Sequence, residues 1–249
     1  MNHAQLVIRQ RRVIRELSDQ SGVTLMELLI SLAIGSAVLA AALNTFSIAQ
    51  AHADRQYRAF THQQDLRVGL EVFEHEVRLA GADSIVTANH GEFQFDANLR
   101  GQRTKTTAVI VPGQSILSVQ DGSGWGEGKT VIVCGPRTCE SHRLARTGQR
   151  SELTLVEPVG APIAAGASVE VRNHVRYYVK MNEDGTFKLM RMVDGGASVL
   201  IGALAGLRFS YWDDMGKTTN QMSHVKRVVL EISSNQPLHS MVREVSIRS

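Results

Sequence analysis

The hydrophobic pattern of this chain changes twice along its length. An unbroken apolar run covers residues 23–43, in which Glu27 is the only charged side chain. Over residues 49–80, apolar side chains recur instead at helical spacing among charged ones, which is the pattern of an amphipathic helix. No proline precedes Pro112 after this run begins, so nothing in the sequence forces an early helix end. We predict one long helix over residues 23–81, transmembrane at 23–43, because roughly 20 apolar residues cross a bilayer core.

After Gly81, which we expect to cap the helix, the sequence changes to short β-rich runs separated by turn residues. The clearest hairpin signal is Asn182-Glu183-Asp184-Gly185, while clustered glycines predict a flexible loop at 122–128 and a bend at 202–206. This order predicts an α+β fold in which the long N-terminal helix packs on a β-rich C-terminal globular domain, residues 82–249. The predicted strands are Glu92–Phe95, Thr106–Val111, Ser115–Val119, Thr130–Cys134, Ser141–Ala145, Glu152–Glu157, Ser168–Lys180, Thr186–Met192, Ala205–Trp212, Val225–Ser233 and Met241–Ile247.

The acidic side chain of Glu27 needs a partner, because a charge at mid-membrane costs at least ~2.5–3.5 kcal/mol and less near an end. Cleavage after Gly22 would free a cationic α-amino group on Val23, one helical turn from Glu27. Two opposite charges ~4 Å apart attract by about 4 kcal/mol at an effective dielectric of ~20, and a helix N-terminus also favours a carboxylate. We therefore predict that Glu27 pairs with this amine in its own chain or in a neighbouring copy, where it would set the register between packed subunits.

The segment Gly22-Val23-Thr24-Leu25-Met26-Glu27-Leu28-Leu29 resembles the class III signal of type IV prepilins and type II secretion pseudopilins. The resemblance implies that a prepilin peptidase removes residues 1–22 as a cytoplasmic leader, cutting after Gly22 and methylating Val23. It also implies that Glu27 is the assembly acid. Val23 departs from the phenylalanine that the family usually has there. The implied partners are the prepilin peptidase, other minor and major pilins, and the inner-membrane pilus assembly platform.

Later motifs are similar to those of PilW-type minor pilins, although each is short. Val77-Arg78-Leu79-Ala80-Gly81 resembles the helix ending common in that type, and Val175–Val179 and Leu207–Tyr211 follow in its order. These motifs favour the PilW type over pseudopilin J of type II secretion, which remains the alternative. The resemblance implies a type IV pilin-like fold and a minor subunit that helps to prime pilus assembly.

The distribution of charge indicates the topology. The net charge is +3, of which the leader carries +2, so the rest carries +1 and gives little support to nucleic-acid binding. The leader arginines precede the apolar run, and no Lys or Arg follows it until Arg55. By the positive-inside rule this predicts a single-pass inner-membrane protein with a cytoplasmic N-terminus and a periplasmic globular domain. The resemblance to prepilins implies that the protein later becomes part of a surface pilus.

A conventional secretory signal is the other possibility, with Ala51-His52-Ala53 as its cleavage site. The mature protein would then be an exported β-domain adhesin or enzyme. The apolar run exceeds the usual signal core of roughly 7–15 residues, and Glu27 would have no role in that case.

The two cysteines, Cys134 and Cys139, predict a disulfide across a short turn, since an even, close pair in an exported domain usually forms one. Zinc is the rival ligand, but one pair without nearby His or Cys partners is a poor zinc site.

We predict no metal, cofactor or small-molecule substrate and no enzymatic activity. The sequence contains no H-E-x-x-H, G-x-S-x-G or Walker A motif, and its nine histidines are scattered. Asp213-Asp214 is interpreted as a turn pair, with calcium, which some relatives bind, as the alternative. A small basic cluster near the cysteines is interpreted as solvated, with DNA or an acidic surface as the alternative. Its members are Arg137, Arg143, Arg146 and Arg150.

Overall fold

A long helix followed by a β-rich domain makes up the protein, as the sequence predicts. The structure is a computed structural model that describes residues 24–136, 138–234 and 240–248. The predicted leader and cleavage pair, residues 1–23, lie outside that part. Two compact units are distinguished, residues 1–60 and residues 61–249.

Helix α1 spans Leu25–Val77 and ends without the left-handed glycine cap that we predicted. Gly81 is extended, with φ −90° and ψ 156°, so its role as C-cap is wrong. The amides of Leu79 and Ala80 instead bond to the carbonyls three residues earlier, those of Glu76 and Val77, each at 3.0 Å. Tightening of the last turn into this 3-10 pattern satisfies carbonyls that a cap would otherwise serve.

The β-rich domain consists of antiparallel strands in two sheets. The larger sheet has the order β1-β2-β8-β9-β10-β11-β12, with β3 and β5 also paired to β8 and β6 paired to β5, while β4 and β7 form a separate ribbon. The strands are β1 (Ile85–Asn89), β2 (Glu92–Ala97), β3 (Arg103–Lys105), β4 (Ile116–Ser118), β5 (Thr130–Cys134), β6 (Cys139–Arg143), β7 (Glu152–Thr154), β8 (Ser168–Met181), β9 (Phe187–Val193), β10 (Gly196–Trp212), β11 (Arg227–Ser234) and β12 (Ser240–Ser246).

Strand β8 joins two hydrophobic cores. Its first residues, 168–172, pair with β3 and β5, whereas residues 173–181 pair with β2 and β9. The first core packs the C-terminal turns of α1 against the main sheet through side chains that include Phe73, Phe93 and Phe209. The second core lies within residues 110–171 and does not include the helix. Every second residue of β8 is buried, so the same face of this strand contributes side chains to both cores.

Several strand predictions are confirmed with shifted ends, and one is wrong. The predicted strand Thr106–Val111 contains only isolated bridges at Thr106 and Ile110, and the nearby strand is β3. Strand β1 was not predicted. Strand β10 begins at Gly196 and continues through the predicted bend at 202–206, where the ladder shifts register twice. The shifts mark the change of partner from β9 to β11, which local sequence does not encode.

The glycine-rich stretch 122–128, predicted to be a flexible loop, is anchored to the second core by Trp125, while residues 123, 124, 127 and 128 are exposed. Trp125 is 4% exposed within it. A Cβ on Gly122 would lie 2.7 Å from the Gln149 carbonyl oxygen, and one on Gly148 would lie 2.2 Å from the Gly122 carbonyl oxygen. Gly122 and Gly148 therefore permit close backbone approach, whereas Gly124 and Gly128 adopt positive φ angles of 77° and 73°.

Candidate functional site at the N-terminal helix

The start of α1 is closed by a capping box between Thr24 and Glu27. The Thr24 backbone N–H and hydroxyl donate to Glu27 Oε2 at 3.0 and 3.1 Å, and the Glu27 N–H donates to Thr24 Oγ1 at 3.3 Å. This reciprocal pairing satisfies amides that have no partner at a helix start. Sequence reasoning missed this role of Thr24, although the T-x-x-E spacing before an apolar run is the signal for it.

The capping box leaves half of the Glu27 carboxylate available. Both described hydrogen bonds from Thr24 end on Oε2, and Oε1 accepts none from the part of the chain that the structure describes. A carboxylate can accept about four hydrogen bonds, so Oε1 can still receive an ammonium group. The partner predicted for it, the α-amine of Val23, lies outside the described residues, so that ion pair stays a prediction.

The first half of α1 is apolar and uncovered. All residues from 24 to 58 are exposed, among them Leu32 at 65% and Phe46 at 66%. The hydroxyls of Ser36 and Thr45 donate back to helix carbonyls, each at 2.9 Å, so these polar groups are satisfied within the helix. By length and composition this helix can cross a membrane. Such a surface suits lipid or other apolar helices because it demands no outside hydrogen bonds.

The predicted disulfide is confirmed. Cys134 and Cys139 are bonded to each other and stand directly opposite at the end of the β5–β6 hairpin, with Cα atoms 4.1 Å apart. The bridge closes the turn of the hairpin, where Cys139 is exposed, as the spacing of the two residues indicated.

The remaining candidate residues are not brought together into one site. Asp213 Oδ1 accepts the Lys217 N–H at 2.8 Å, which is the turn role proposed for it. No group of three His, Cys, Asp or Glu side chains suited to a metal occurs among the described residues. In the basic cluster, Arg146 pairs with Glu152 at 2.5 Å, whereas Arg143 is exposed on β6 and Arg137 lies outside the described residues.

A buried ionic group that the sequence did not reveal ties the end of α1 to the main sheet. The carboxylate of Glu76, which is 6% exposed, accepts hydrogen bonds from the Tyr177 hydroxyl and from Arg191. The Arg191 bonds come from Nε, at 2.9 Å, and from a terminal nitrogen. Burial, and then the Glu76 charge, raise the pKa of Tyr177. Hydrogen bonding to Glu76 raises the pKa of Arg191. Glu76 resembles any charged helix residue in sequence, and only the register of β8 and β9 places its partners.

The comparison with known families bears on the N-terminal helix. A family model described as the prokaryotic N-terminal methylation motif matches residues 17–43. A search of curated proteins finds no match. Together with the exposed apolar helix and the disulfide-bonded β domain, the motif supports a protein of the type IV pilin and pseudopilin class, processed by prepilin peptidase and anchored in a membrane.

Proposed function

We propose that this protein is a minor pilin, a PilW-type structural subunit that helps to prime assembly of a type IV pilus, and that it is not an enzyme. The observation that carries the proposal is the uncovered apolar half of α1, which coincides with the methylation motif. An apolar helix without cover in its own chain needs lipid before assembly and neighbouring helices afterwards. The order of the later PilW-like motifs favours this subunit over pseudopilin J.

Processing supplies a positive charge to pair with the carboxylate of Glu27. Prepilin peptidase cuts after Gly22 and methylates Val23, and the new ammonium group meets Glu27 Oε1. When the donor is the amine of a neighbouring subunit, the same contact sets the stagger between packed helices. The capping box supports this role because it orients the carboxylate from within the helix.

The proposed topology has a cytoplasmic N-terminus and a periplasmic globular domain, followed by incorporation into the surface pilus. The partners are the prepilin peptidase, other minor and major pilins, and the inner-membrane assembly platform. Ala51-His52-Ala53, the site of a conventional signal cleavage, lies inside the continuous helix Leu25–Val77, not at its end. That position supports prepilin processing over a conventional signal peptide, because a cut after Ala53 would divide a continuous helix.

Mass spectrometry of the mature N-terminus tests the processing step. A chain that starts at methylated Val23 is expected. Retention of residues 1–22, or a start at Asp54, would contradict the proposal.

Incorporation of a Glu27→Gln variant tests the assembly step. Glutamine keeps the cap but loses the charge, so cleavage should persist while the amount in sheared pili falls at least about tenfold, equivalent to about 1.4 kcal/mol. Glu71→Gln is the matched control, since Glu71 is exposed on the same helix. Equal incorporation of Glu27→Gln and the control would remove the role assigned to the acid.

Loss of secretion, with pili intact, in a deletion strain would favour pseudopilin J instead.

A further inference from the structure

A cavity of about 610 Å3 opens where the segment after α1 meets β2, β3 and β8. Its walls come from distant parts of the sequence: the segment after the helix, the end of β2, and β8. Lys226 and Arg248 close it from the C-terminal strands. The volume lies within the range of roughly 300–1,000 Å3 that ligand pockets occupy.

Cations exceed acids on the walls of this cavity. It is lined by Arg103, Arg172, Lys226 and Arg248, a set that we name the basic trough. The acids among the lining residues are Asp83, Asp96 and Glu170. Glu170 pairs with Arg103 at 3.0 Å and with Arg172 at 3.9 Å, and Asp96 pairs with His174 at 2.8 Å. Asp83 forms no ion pair with another described residue, so it is the one acid of the cavity that opposes the cations. Lys226 and Arg248 form no ion pair with another described residue, so they supply the available positive charge.

The positive surface continues from the basic trough across the solvent face of β8 and its neighbours. Thr130 of β5 pairs with Arg172 on one side and with Arg143 of β6 on the other, so all three share one face of the sheet. Ser168 pairs with Lys105 of β3, which places that lysine on the same face. Alternation along a strand puts residues 168, 170 and 172 on one side. Lys105 and Arg143 thus extend the trough at either side of β8.

We propose that the basic trough binds an acidic, extended segment of another protein. Carboxylates suit guanidinium and ammonium groups in a partly enclosed cleft, and electrostatic complementarity selects such partners. Nucleic acid fits less well, because none of the described lining residues is an aromatic side chain on which a base could stack. Under the proposed function the segment belongs to a neighbouring subunit, but the binding itself does not depend on N-terminal processing.

The test uses the full chain in detergent and a fluorescent decapeptide of alternating Glu and Gly, followed by anisotropy. A Gln-for-Glu version of the peptide and a duplex DNA oligonucleotide are compared with it. The double variant Lys226→Gln, Arg248→Gln removes the available charge. Arg150→Gln, Lys217→Gln is the matched control, since both residues are exposed, remove the same charge and do not line the cavity.

The trough variant should bind the acidic peptide about tenfold more weakly, because it loses two ion pairs of the strength typical of exposed charges. The control should bind like the wild type. Binding should also weaken as salt is raised. Equal losses in both double variants, or equal binding of the Gln peptide, would overturn the proposal. Tighter binding of DNA that depends on Lys226 and Arg248 would overturn it in favour of a nucleic-acid site. Near-ultraviolet circular dichroism of each variant confirms that the fold is unchanged.

Discussion

Replacing Glu76 by alanine should destabilise the β domain strongly. The Glu76 side chain is 8% exposed and that of Arg191 is 25% exposed, so their ion pair lies mostly out of water. Removing the carboxylate leaves the buried Tyr177 hydroxyl without its acceptor and the guanidinium without its counter-ion. Breaking a buried pair from one side costs about 3–5 kcal/mol, and we expect Glu76→Ala to fall in that range.

The same helix offers a matched control. Glu71 pairs with Arg67 at 3.0 Å, but the two side chains are 57% and 81% exposed. Exposed pairs of this spacing contribute about 0.3–0.5 kcal/mol, so Glu71→Ala should change the free energy of unfolding by no more than that. The sixfold or greater difference between two glutamates on one helix follows from the burial of Glu76 and of the two partners that its loss would leave unpaired.

A double-mutant cycle separates the pair from the packing around it. Arg191→Ala leaves the Glu76 carboxylate buried and unpaired, so it should also be costly, while the double variant should lose less than the two single losses combined. The expected interaction energy is about 2 kcal/mol, within the range for residues in direct contact. Urea unfolding of the full chain in detergent measures it through the two tryptophans, both in the β domain. Additive losses would refute the claim that Glu76 and Arg191 act as one unit.

Three further changes have expected outcomes. Gly69→Ala places a Cβ 2.4 Å from Ile201 Cγ1. Although alanine favours a helix more than glycine does, the variant should lower the free energy of unfolding in urea by about 1–2 kcal/mol. No loss would show that the sheet moves freely there. Reducing the Cys134–Cys139 bridge, which spans five positions, should lower the free energy of unfolding by about 2 kcal/mol, measured with and without reductant; an unchanged urea midpoint would contradict this. The raised pKa of Tyr177 means that the unfolded chain loses its phenolic proton first, so stability is full below the ordinary value of 10.0 and falls as pH rises above it. The Tyr177→Phe variant should show a shallower decline above about pH 10, and an identical slope would rule this group out as a source of the decline.

Features that depend on neighbouring residues were predictable from the sequence. The apolar run of α1 needs only its own length and composition to indicate a membrane helix, and the methylation motif is contiguous. The Asn182–Gly185 hairpin follows from turn chemistry, with Gly185 at φ 78°. The Cys134–Cys139 bridge joins residues close enough in sequence that one hairpin brings them together.

Features that depend on strand pairing were not predictable. Tyr177 and Arg191 lie more than a hundred positions after Glu76 in the chain. Glu76 reaches them only because β8 and β9 lie side by side against the helix. The division into two cores depends on β8 changing partners midway, and the basic trough draws its walls from segments that have no local relation. The sequence therefore determined which segments are helical, apolar or able to bridge, because those properties are local. Tertiary structure decided which charges become buried partners and which gather on one surface, because antiparallel register sets neighbours across the whole chain.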